Sequence, residues 1–465
     1  MLTEDKYQPA LTSSIELLSA WIEAQMAYKD QPGLSIGIVY DQELIWAKGF
    51  GFADREKENK ASASSIYRIA SITKLFTSTG ILQLRDAGKL NLDEPVSKYL
   101  PWFTINPSST ESSEIRIRHL LTHTSGLPRE AKAPYWTTAE FPSYQEVQAL
   151  LPEQSQILPV STKWKYSNLA LSLAGMIISA VSGQSYEEYI ETHILKPLGM
   201  ESTFIKTIDP EHPQLAAAYG RKLPDNTRSA RPFGDCKGIS PAANMATTVE
   251  DLAKFAMLQF RDKDEIDGEK EVLKPATLRE MHTVKWLDED WTAGWGWGFM
   301  ISRKQGKTYI GHGGSLMGYR TLFQCALQDK VAVIVLTNSD DGNPGYYADK
   351  AFEWVAPEIV KAFKPKAKEK KIQPAWEAYI GKYRSAWGDT QIIAYKGELL
   401  AIDPSEPDPM EESMKLKPLS ENRFVMQEKG GFGAHGEELV FELDEDGKVK
   451  RLVMGADYSY PVQEW

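Results

Sequence analysis

Residues 67–74 read YRIASITK, and a helical apolar pattern continues from Ser71 to about Ala87. Gly88 then stands where a helix commonly ends in a left-handed residue. Residues three apart share one face of a helix, so this segment predicts that the Lys74 amine lies near the Ser71 hydroxyl. Free backbone N–H groups at the helix start favour negative charge, which suits a serine that becomes an alkoxide. The alternative is an N-capping serine and a surface lysine, because Ser-x-x-Lys arises by chance roughly once or twice in such a chain.

A serine hydroxyl is a weak nucleophile at neutral pH and needs a base. Lys74 can be that base only if burial or a neighbouring cation lowers its pKa from about 10.4. Tyr166 and Asn168 form the Tyr-x-Asn of the chain, in which the phenol can carry a proton and the amide can orient both lysine and substrate. Their structural alternatives are a buried tyrosine and an N-cap asparagine ahead of the apolar run 169–181.

A glycine-rich segment, 312–315 (HGGS), follows a strand-like run at 308–311. Glycines there let a substrate lie against the strand backbone, and an N–H just after them can stabilise an oxyanion. The alternative is a glycine-rich bend with an exposed imidazole at His312. This segment is the third candidate part of a catalytic site.

Hydrophobic periodicity predicts the elements around these motifs. Predicted helices cover 13–27, 71–87, 168–181, 186–194, 249–259 and 346–363, and predicted strands cover 34–40, 43–49, 308–311, 319–327 and 331–337. The fourth helix starts behind a capping box formed by Ser185 and Glu188, and the fifth starts behind Thr248. The chain thus begins as a helix and a β-hairpin, becomes mainly helical and then returns to strands.

The pattern changes near residue 361. The segment 361–371 (KAFKPKAKEKK) is rich in lysine, and we interpret it as a solvated linker rather than a nucleic-acid or membrane patch. Short strands separated by turns follow, which predicts a small all-β domain. These predicted strands cover 391–395, 398–402, 414–416, 423–427, 438–443 and 449–454. The predicted divisions are a first domain at 1–360, a linker at 361–375 and a C-terminal domain at 376–465.

The composition narrows the class of protein. Of 465 residues, 42% are apolar and 25% are charged, which is typical of a soluble globular protein. A net charge of -11 argues against general binding to nucleic acid or anionic lipid, and the longest apolar run, 169–181, is shorter than the roughly 20 residues of a membrane helix. The polar residues 1–10 show no leader pattern, so we expect a cytoplasmic protein or one whose leader has been removed.

No metal or cofactor is predicted. Cys236 and Cys325 are interpreted as small buried residues, since two cysteines do not make a disulfide framework in a chain of this length. The chain has no Cys-x-x-Cys or Glu-x-x-His pair of the kind that holds zinc.

The three motifs, in their order along the chain, resemble those of the class C β-lactamase, D-aminopeptidase and esterase superfamily of serine hydrolases. They are Ser71-x-x-Lys74, Tyr166-x-Asn168 and His312-x-Gly314. The segments 32–39, 67–74, 117–127 and 245–252 also resemble this family, and the resemblance covers about residues 15–360. It implies an α+β fold in which an antiparallel sheet is flanked by helices and carries a helical insert.

The resemblance also implies an acyl-enzyme mechanism. Ser71 attacks a carbonyl while Lys74 and Tyr166 move its proton, and the backbone N–H groups of Ser71 and Ser315 hold the oxyanion. Substrate contacts are implied for Asn168, His312 and Gly314. The imidazole stands where many β-lactamases have lysine, and because it is mostly neutral at pH 7, strong recognition of a substrate carboxylate is not expected.

The remaining segments are interpreted from the sequence that surrounds them. Residues 379–383 (YIGKY) resemble the opening of the lipocalin-like β-barrel that follows the hydrolase domain in some relatives. His119 and His123 flank a turn of the family and are interpreted as structural. Residues 33–37 (GLSIG) match Gly-x-Ser-x-Gly, but they run into a strand, whereas a nucleophile elbow turns from strand to helix. Residues 431–436 match a dinucleotide fingerprint but lead into a strand rather than a helix.

The first hypothesis is therefore a serine hydrolase that cleaves small esters or amides. A D-amino-acid-specific peptidase or an acyl transferase is the alternative within enzymes. From other classes, a penicillin-binding sensor that acylates without turnover and a non-catalytic scaffold stay open. The expected partner is a small-molecule ester, amide or D-aminoacyl substrate, not nucleic acid or a membrane, and assembly into a homo-oligomer is left open.

Overall fold

The computed structural model describes residues 9–464 apart from 111, 133–134, 262–270, 364–370, 429 and 431–432. The chain divides into two compact units, Met1–Phe363 and Lys364–Trp465. The predicted linker at 361–375 spans this division, but its residues 364–370 lie outside the described part. Residues 1–8, which belong to the N-terminal segment without a leader pattern, also lie outside it. The predicted domain boundaries stay predictions.

The helices of the first unit lie before, between and after its strands. In chain order the α-helices of the described residues are α1 (Pro9–Lys29), α2 (Thr73–Asp86), α3 (Val96–Tyr99), α4 (Ile117–Leu121), α5 (Tyr135–Thr138), α6 (Tyr144–Leu150), α7 (Asn168–Ser182), α8 (Tyr186–Ile190), α9 (Lys196–Leu198), α10 (Ser240–Ala243), α11 (Val249–Gln259), α12 (Pro275–Met281), α13 (Pro344–Trp354) and α14 (Ala356–Phe363). The run from α2 to α10 is mainly helical, as predicted for the middle of the chain.

The strands of the first unit are β1 (Gly33–Tyr40), β2 (Glu43–Asp54), β3 (Asn59–Lys60), β4 (Tyr67–Arg68), β5 (Ala246–Thr247), β6 (Trp286–Leu287), β7 (Ala293–Trp295), β8 (Met300–Lys304), β9 (Lys307–Leu316), β10 (Tyr319–Ala326) and β11 (Val331–Thr337). Within the described residues, nine of them form one sheet in the order β3-β2-β1-β11-β10-β9-β8-β7-β6, while β4 pairs with β5. The pairs from β2 through β8 are antiparallel, as predicted.

The middle of this sheet separates two hydrophobic cores. Side chains alternate between the faces of a strand, so Val333 and Val335 of β11 pack in the core that includes α1 and α13, while Ile334 packs in the core that includes α2 and α11. In the second core, Phe255 stacks on Phe76 at 4.1 Å between ring centroids. This two-sided burial explains why β11 is apolar throughout.

Two predicted helices are interrupted. The predicted helix at 346–363 is α13 followed by α14, because Pro357 has no N–H to donate and is tolerated only in the first turn of a helix. The predicted helix at 186–194 is α8 followed by a π-helical turn, Glu191–Leu195. Its capping box between Ser185 and Glu188 is present.

The second unit is a closed antiparallel barrel, so the predicted all-β domain is confirmed. In the described part of this unit its strands are β12 (Gly381–Arg384), β13 (Asp389–Tyr395), β14 (Glu398–Ile402), β15 (Met414–Ser420), β16 (Arg423–Gln427), β17 (Glu438–Leu443), β18 (Val449–Met454) and β19 (Asp457–Val462). The first and last were not predicted as strands, and their pairing closes the barrel. Tyr379 stacks on Phe441 at 4.2 Å in its core.

Cys236 and Cys325 are free and buried, which agrees with their interpretation as small buried residues. No single described helix is long and apolar enough to cross a membrane. By length and composition, α7 passes such a test only together with Tyr186–Leu198, and the two are bent by 80°.

Candidate active site

Ser71 lies in a tight turn at the start of α2. Residues Ala70–Ile72 form a 3-10 turn, and the α-helix begins at Thr73 rather than at Ser71 as predicted. Ala70 has a φ of 49°, a left-handed conformation that costs free energy in a residue with a Cβ. The turn leaves Ser71 partly exposed at the entrance of a buried helix.

The Lys74 side chain is buried and its amine has three close neighbours. Lys74 Nζ lies 2.9 Å from Ser71 Oγ, 2.8 Å from Asn168 Oδ1 and 2.8 Å from the carbonyl oxygen of Ala242. Burial lowers the pKa of Lys74 well below its usual value, which favours the neutral amine. A neutral amine has two N–H donors and one lone pair, so donation to Asn168 and Ala242 leaves the lone pair facing Ser71. This is the geometry of a base for the hydroxyl.

Tyr166 is the second group that contacts the serine. Its hydroxyl donates to Ser71 Oγ at 2.8 Å, and its ring packs on His123 with 4.4 Å between ring centroids. Burial raises the pKa of Tyr166, so the phenol keeps its proton at neutral pH. Ser71 can thus donate to Lys74 while it accepts from Tyr166.

Asn168 does not cap a helix. The N-cap of α7 is Ser167, whose Oγ accepts from the backbone N–H of Ala170 at 3.0 Å and donates to the carbonyl of Pro128 at 2.6 Å. The structural alternative for Asn168 is therefore wrong by one position. Because Ser167 satisfies the helix end, the Asn168 amide is left to contact Lys74.

Glu130 belongs to this cluster and was not predicted. Its Oε1 accepts from Asn168 Nδ2 at 2.5 Å and from Trp136 Nε1 at 3.0 Å. Burial raises the pKa of Glu130, and the hydrogen bonds from Asn168 and Trp136 are the largest effects that oppose it. The spacing of the three motifs carries no information about this residue. The signal available in the sequence was an acidic residue shortly after the segment 117–127, which resembles the family.

The glycine-rich segment forms one wall of the turn. His312, Gly314 and Ser315 lie within β9, which continues to Leu316, so the alternative of a glycine-rich bend is wrong. A Cβ on Gly314 would lie 2.2 Å from the carbonyl oxygen of Ile69 and 2.1 Å from Thr321 Oγ1. Glycine at this position lets the strand lie directly against the turn that carries the serine.

The imidazole of this segment is held near Tyr166. The ring centroids of His312 and Tyr166 are 6.1 Å apart, and His312 Nδ1 lies 2.6 Å from the carbonyl oxygen of Gly313. Burial and the nearby Lys74 lower the pKa of His312 to about 4. The Ser315 side chain is exposed at the end of the segment. The oxyanion role of the Ser71 and Ser315 N–H groups remains a prediction.

His119 and His123 lie four residues apart but contact separate backbone groups. His119 Nδ1 accepts from the N–H of Arg116 at 3.1 Å, and His123 Nδ1 accepts from the N–H of Ser167 at 3.2 Å. Burial lowers the pKa of His123 well below its usual value, so its ring stays neutral behind Tyr166. This agrees with the structural interpretation of both residues.

Ser35 is the serine of the Gly-x-Ser-x-Gly match at residues 33–37. Ser35 lies in β1 with its Oγ 2.7 Å from the carbonyl oxygen of Ser62 and 3.0 Å from the Tyr67 hydroxyl. It is buried in the strand and already hydrogen-bonded. The match to a dinucleotide fingerprint at 431–436 is followed by strand β17, as predicted. Its residues 431–432 lie outside the described part.

Aromatic side chains border the cluster. Trp164 packs on Trp295 of β7 at 4.0 Å between ring centroids, and it lies 6.1 Å from the Tyr166 ring. The two tryptophans thus form an apolar surface next to Tyr166. Among the described residues, no three His, Cys, Asp or Glu side chains are grouped as they would be around a metal ion.

The chain is similar to known proteins over most of its length. A family model described as Beta-lactamase matches residues 18–357. Penicillin-binding protein 4* of Bacillus subtilis (strain 168) is 26% identical over 437 residues, which cover 90% of this chain and 91% of that protein. Protein flp of Staphylococcus aureus (strain MW2) is 35% identical over 234 residues, which cover 50% of this chain. That alignment spans 46% of flp, about half its length.

Solved structures share the fold. The octameric penicillin-binding protein homologue from Pyrococcus abyssi superposes with a TM-score of 0.64 at 24% identity, covering 96% of this chain and 99% of its own. A D-stereospecific amidohydrolase from a Streptomyces species gives a TM-score of 0.60 at 24% identity and covers 72% of this chain and 97% of its own. EstCE1, described as a hydrolase with promiscuous acyltransferase activity, gives 0.64 at 22% identity and covers 75% of this chain and 100% of its own.

Proposed function

The chain belongs to the Beta-lactamase family, and on this premise we propose that it is a serine hydrolase that cleaves small esters or amides through an acyl-enzyme on Ser71. The observation that carries the proposal is the convergence of two groups on one oxygen. Lys74 Nζ at 2.9 Å and the Tyr166 hydroxyl at 2.8 Å both contact Ser71 Oγ.

In the proposed reaction, Ser71 Oγ attacks the substrate carbonyl and its proton passes to the neutral Lys74 amine. The backbone N–H groups of Ser71 and Ser315 hold the oxyanion. Tyr166 then gives a proton to the leaving alcohol or amine and regains one from Lys74, which leaves the acyl group on Ser71. Water then attacks the acyl-enzyme ester on Ser71 while the same groups move its proton, and the acid is released.

The neutral imidazole of His312 supports uncharged substrates. His312 is neutral above about pH 5 because its pKa is lowered to about 4, so it offers no permanent cation to a substrate carboxylate. The aromatic surface of Trp164 and Trp295 suits an apolar acyl or aryl group. Both features favour esters and small amides over penicillins.

A second candidate is hydrolysis or acyl transfer on D-aminoacyl substrates. It is supported by the fold shared with the D-stereospecific amidohydrolase and with EstCE1. Penicillin binding without turnover is a third candidate, supported by the relative that aligns with 90% of this chain. In the enzymatic candidates the substrate is a small molecule. We also propose a cytoplasmic location and assembly into a homo-oligomer.

The test compares wild type with Ser71→Ala on p-nitrophenyl acetate and butyrate, D- and L-phenylalanine amide, and nitrocefin. We expect ester turnover by wild type and a loss of at least roughly 10³-fold in kcat/KM in Ser71→Ala. Ser78→Ala is the matched control, because Ser78 lies buried on the same helix and its hydroxyl has no hydrogen-bond partner among the described residues.

Intact-protein mass spectrometry after fluorophosphonate treatment adds a readout that needs no turnover. A single adduct on wild type and on Ser78→Ala, absent from Ser71→Ala, is the expected result. Wild type that turns over none of the three substrate classes and gains no adduct would contradict the proposed function. A stable β-lactam adduct without turnover would favour the sensor.

A further inference from the structure

Outside the three motifs, Glu130 is a side chain that contacts a motif residue directly. It follows the turn at 123–127 in sequence, and its side chain points inward to the amide of Asn168. Its other carboxylate oxygen, Oε2, is buried without a hydrogen-bond partner among the described residues. A buried, half-satisfied carboxylate next to a catalytic lysine is costly to keep, which argues for a role in the site.

We propose that Glu130 is a positioning residue, which orients the Asn168 amide toward Lys74 and supplies a negative charge beside the buried amine. The proposal rests on the function proposed above, since it concerns the base of that reaction. It does not place Glu130 in contact with the reacting atoms.

The orientation follows from the two ends of an amide. Asn168 Oδ1 accepts from Lys74 Nζ at 2.8 Å, and Asn168 Nδ2 donates to Glu130 Oε1 at 2.5 Å. If the amide turned over, its NH₂ group would face the donating amine and its oxygen would face the carboxylate. Both contacts would then be lost, so Glu130 determines which end of Asn168 meets Lys74.

The hydrogen bonds also indicate the charge of Glu130. Both of its hydrogen bonds, from Asn168 and Trp136, are donated to the carboxyl group and none is donated by it. Oε2 has no hydrogen-bond partner among the described residues, so every hydrogen bond that the structure gives this carboxyl group is one that the ionised form accepts. The ionised form is therefore the one that this environment satisfies.

The charge acts on Lys74 together with several other groups. The ionisable side chains that influence Lys74 or are influenced by it are Glu130, Arg129, Cys236, His123 and His312. Burial raises the pKa of the Cys236 thiol, and the pKa values of both histidines are lowered, so these three are neutral near pH 7. The Arg129 charge lowers the pKa of Lys74, and the Glu130 charge raises it.

The consequence for catalysis has a definite sign. Lys74 acts as a base only when unprotonated, so activity rises with pH through the pKa of Lys74. Glu130→Gln removes the negative charge but keeps an oxygen that can accept from Asn168 and Trp136. We therefore expect the acid limb of the kcat/KM profile to move to lower pH, with several-fold higher activity relative to plateau at a pH on that limb.

The experiment measures pH profiles for wild type, Glu130→Gln and Glu130→Ala with an aryl ester. Glu130→Ala removes the acceptor as well as the charge, so its plateau should fall below that of Glu130→Gln. Glu140→Gln is the matched control, because Glu140 is an exposed carboxylate in the same loop. It should leave the profile unchanged.

A direct titration separates this inference from the proposed function. Lysine labelled with ¹³C at Cε lets NMR follow Lys74, whose signal is assigned by its loss in Lys74→Arg. We expect Lys74 of Glu130→Gln to lose its proton at lower pH than in wild type, whether or not the ester is turned over. An unchanged or higher titration midpoint would overturn the inference even if the enzyme is an esterase, and inactivity with the expected shift would overturn the function alone.

Discussion

At the scale of single residues, His312 shows how the surroundings of a side chain determine its chemistry. The imidazole lies beside a buried amine, and burial together with Lys74 lowers its pKa to about 4. An isolated histidine would be partly charged near pH 6.5, whereas this one stays neutral over the ordinary working range. The sequence predicted weak carboxylate recognition from the residue type, and the structure adds the reason.

His312→Lys is expected to change specificity. A lysine near the surface of the site would carry a charge that can bond a substrate carboxylate, and such charge-assisted hydrogen bonds contribute about 1.5–3 kcal/mol. The ratio of kcat/KM for nitrocefin to that for p-nitrophenyl acetate should rise roughly 10-fold or more. His312→Asn, which stays neutral, should leave the ratio near that of wild type. A ratio unchanged in the lysine variant would show that His312 does not face the substrate.

At the scale of elements, the approach of β9 to the Ser71 turn determines the shape of the site. Gly314 faces the carbonyl of Ile69, and Thr321 Oγ1 on the neighbouring strand donates to the same carbonyl at 3.1 Å. Hydrophobic periodicity predicted the strand only as far as Gly311, since the polar and small residues after it carry no apolar pattern. Pairing with β10, which matches Gly314 to Thr321, continues the strand beyond that point.

Gly314→Ala should disrupt this approach. Its Cβ would lie about 2.2 Å from backbone oxygen, so the strand or the turn must move. We expect a loss of about 1–3 kcal/mol in the free energy of unfolding, together with a fall in kcat/KM. Gly313→Ala is the control for stability, because its Cβ would meet its nearest atom at 3.7 Å. If both variants unfolded at the same urea concentration, the prediction of a tight contact between β9 and the Ser71 turn would be wrong.

At the scale of the whole molecule, buried neutral histidines link stability to pH. His119 is buried in the first unit, and burial with the nearby Arg118 and Arg116 lowers its pKa to about 4. In the unfolded chain its pKa returns to about 6.5. Between these values the unfolded chain binds a proton that the folded chain does not, so the stability present above pH 6.5 is lost as the pH falls toward 4.

His119→Asn tests this link. The asparagine side chain can accept from the N–H of Arg116 as His119 Nδ1 does, but it does not titrate. Urea unfolding from pH 7.5 to 4.5 should show a smaller loss of stability in the variant, by on the order of 2 kcal/mol. Parallel losses in wild type and variant would contradict the assignment of His119 as a titrating group.

Much of the fold and part of the site could be predicted from local patterns. The helix Val249–Gln259 and the strand Val331–Thr337 have the predicted bounds, because their periodicity and capping signals are complete within the segment. Strands β12 and β19 were missed because β12 has only 4 residues and β19 contains Pro461, which weakens a strand pattern. Their pairing with one another makes them part of the barrel. In the site, the motifs predicted Lys74, Tyr166 and Asn168, but they carried no information about Glu130.

The sequence by itself determined that Ser71 and Lys74 lie one turn apart where a helix begins, and that Tyr166 and Asn168 lie at the start of the next long helix. The antiparallel sheet flanked by helices was implied by the resemblance. The first two features depend on spacing and periodicity over a few residues. Only the tertiary structure decided that Ser167 takes the cap, that Glu130 binds the amide 38 residues away, and that burial favours the neutral form of Lys74. The physical reason is that hydrogen-bond partners and desolvation arise from packing between distant segments, which no local pattern records.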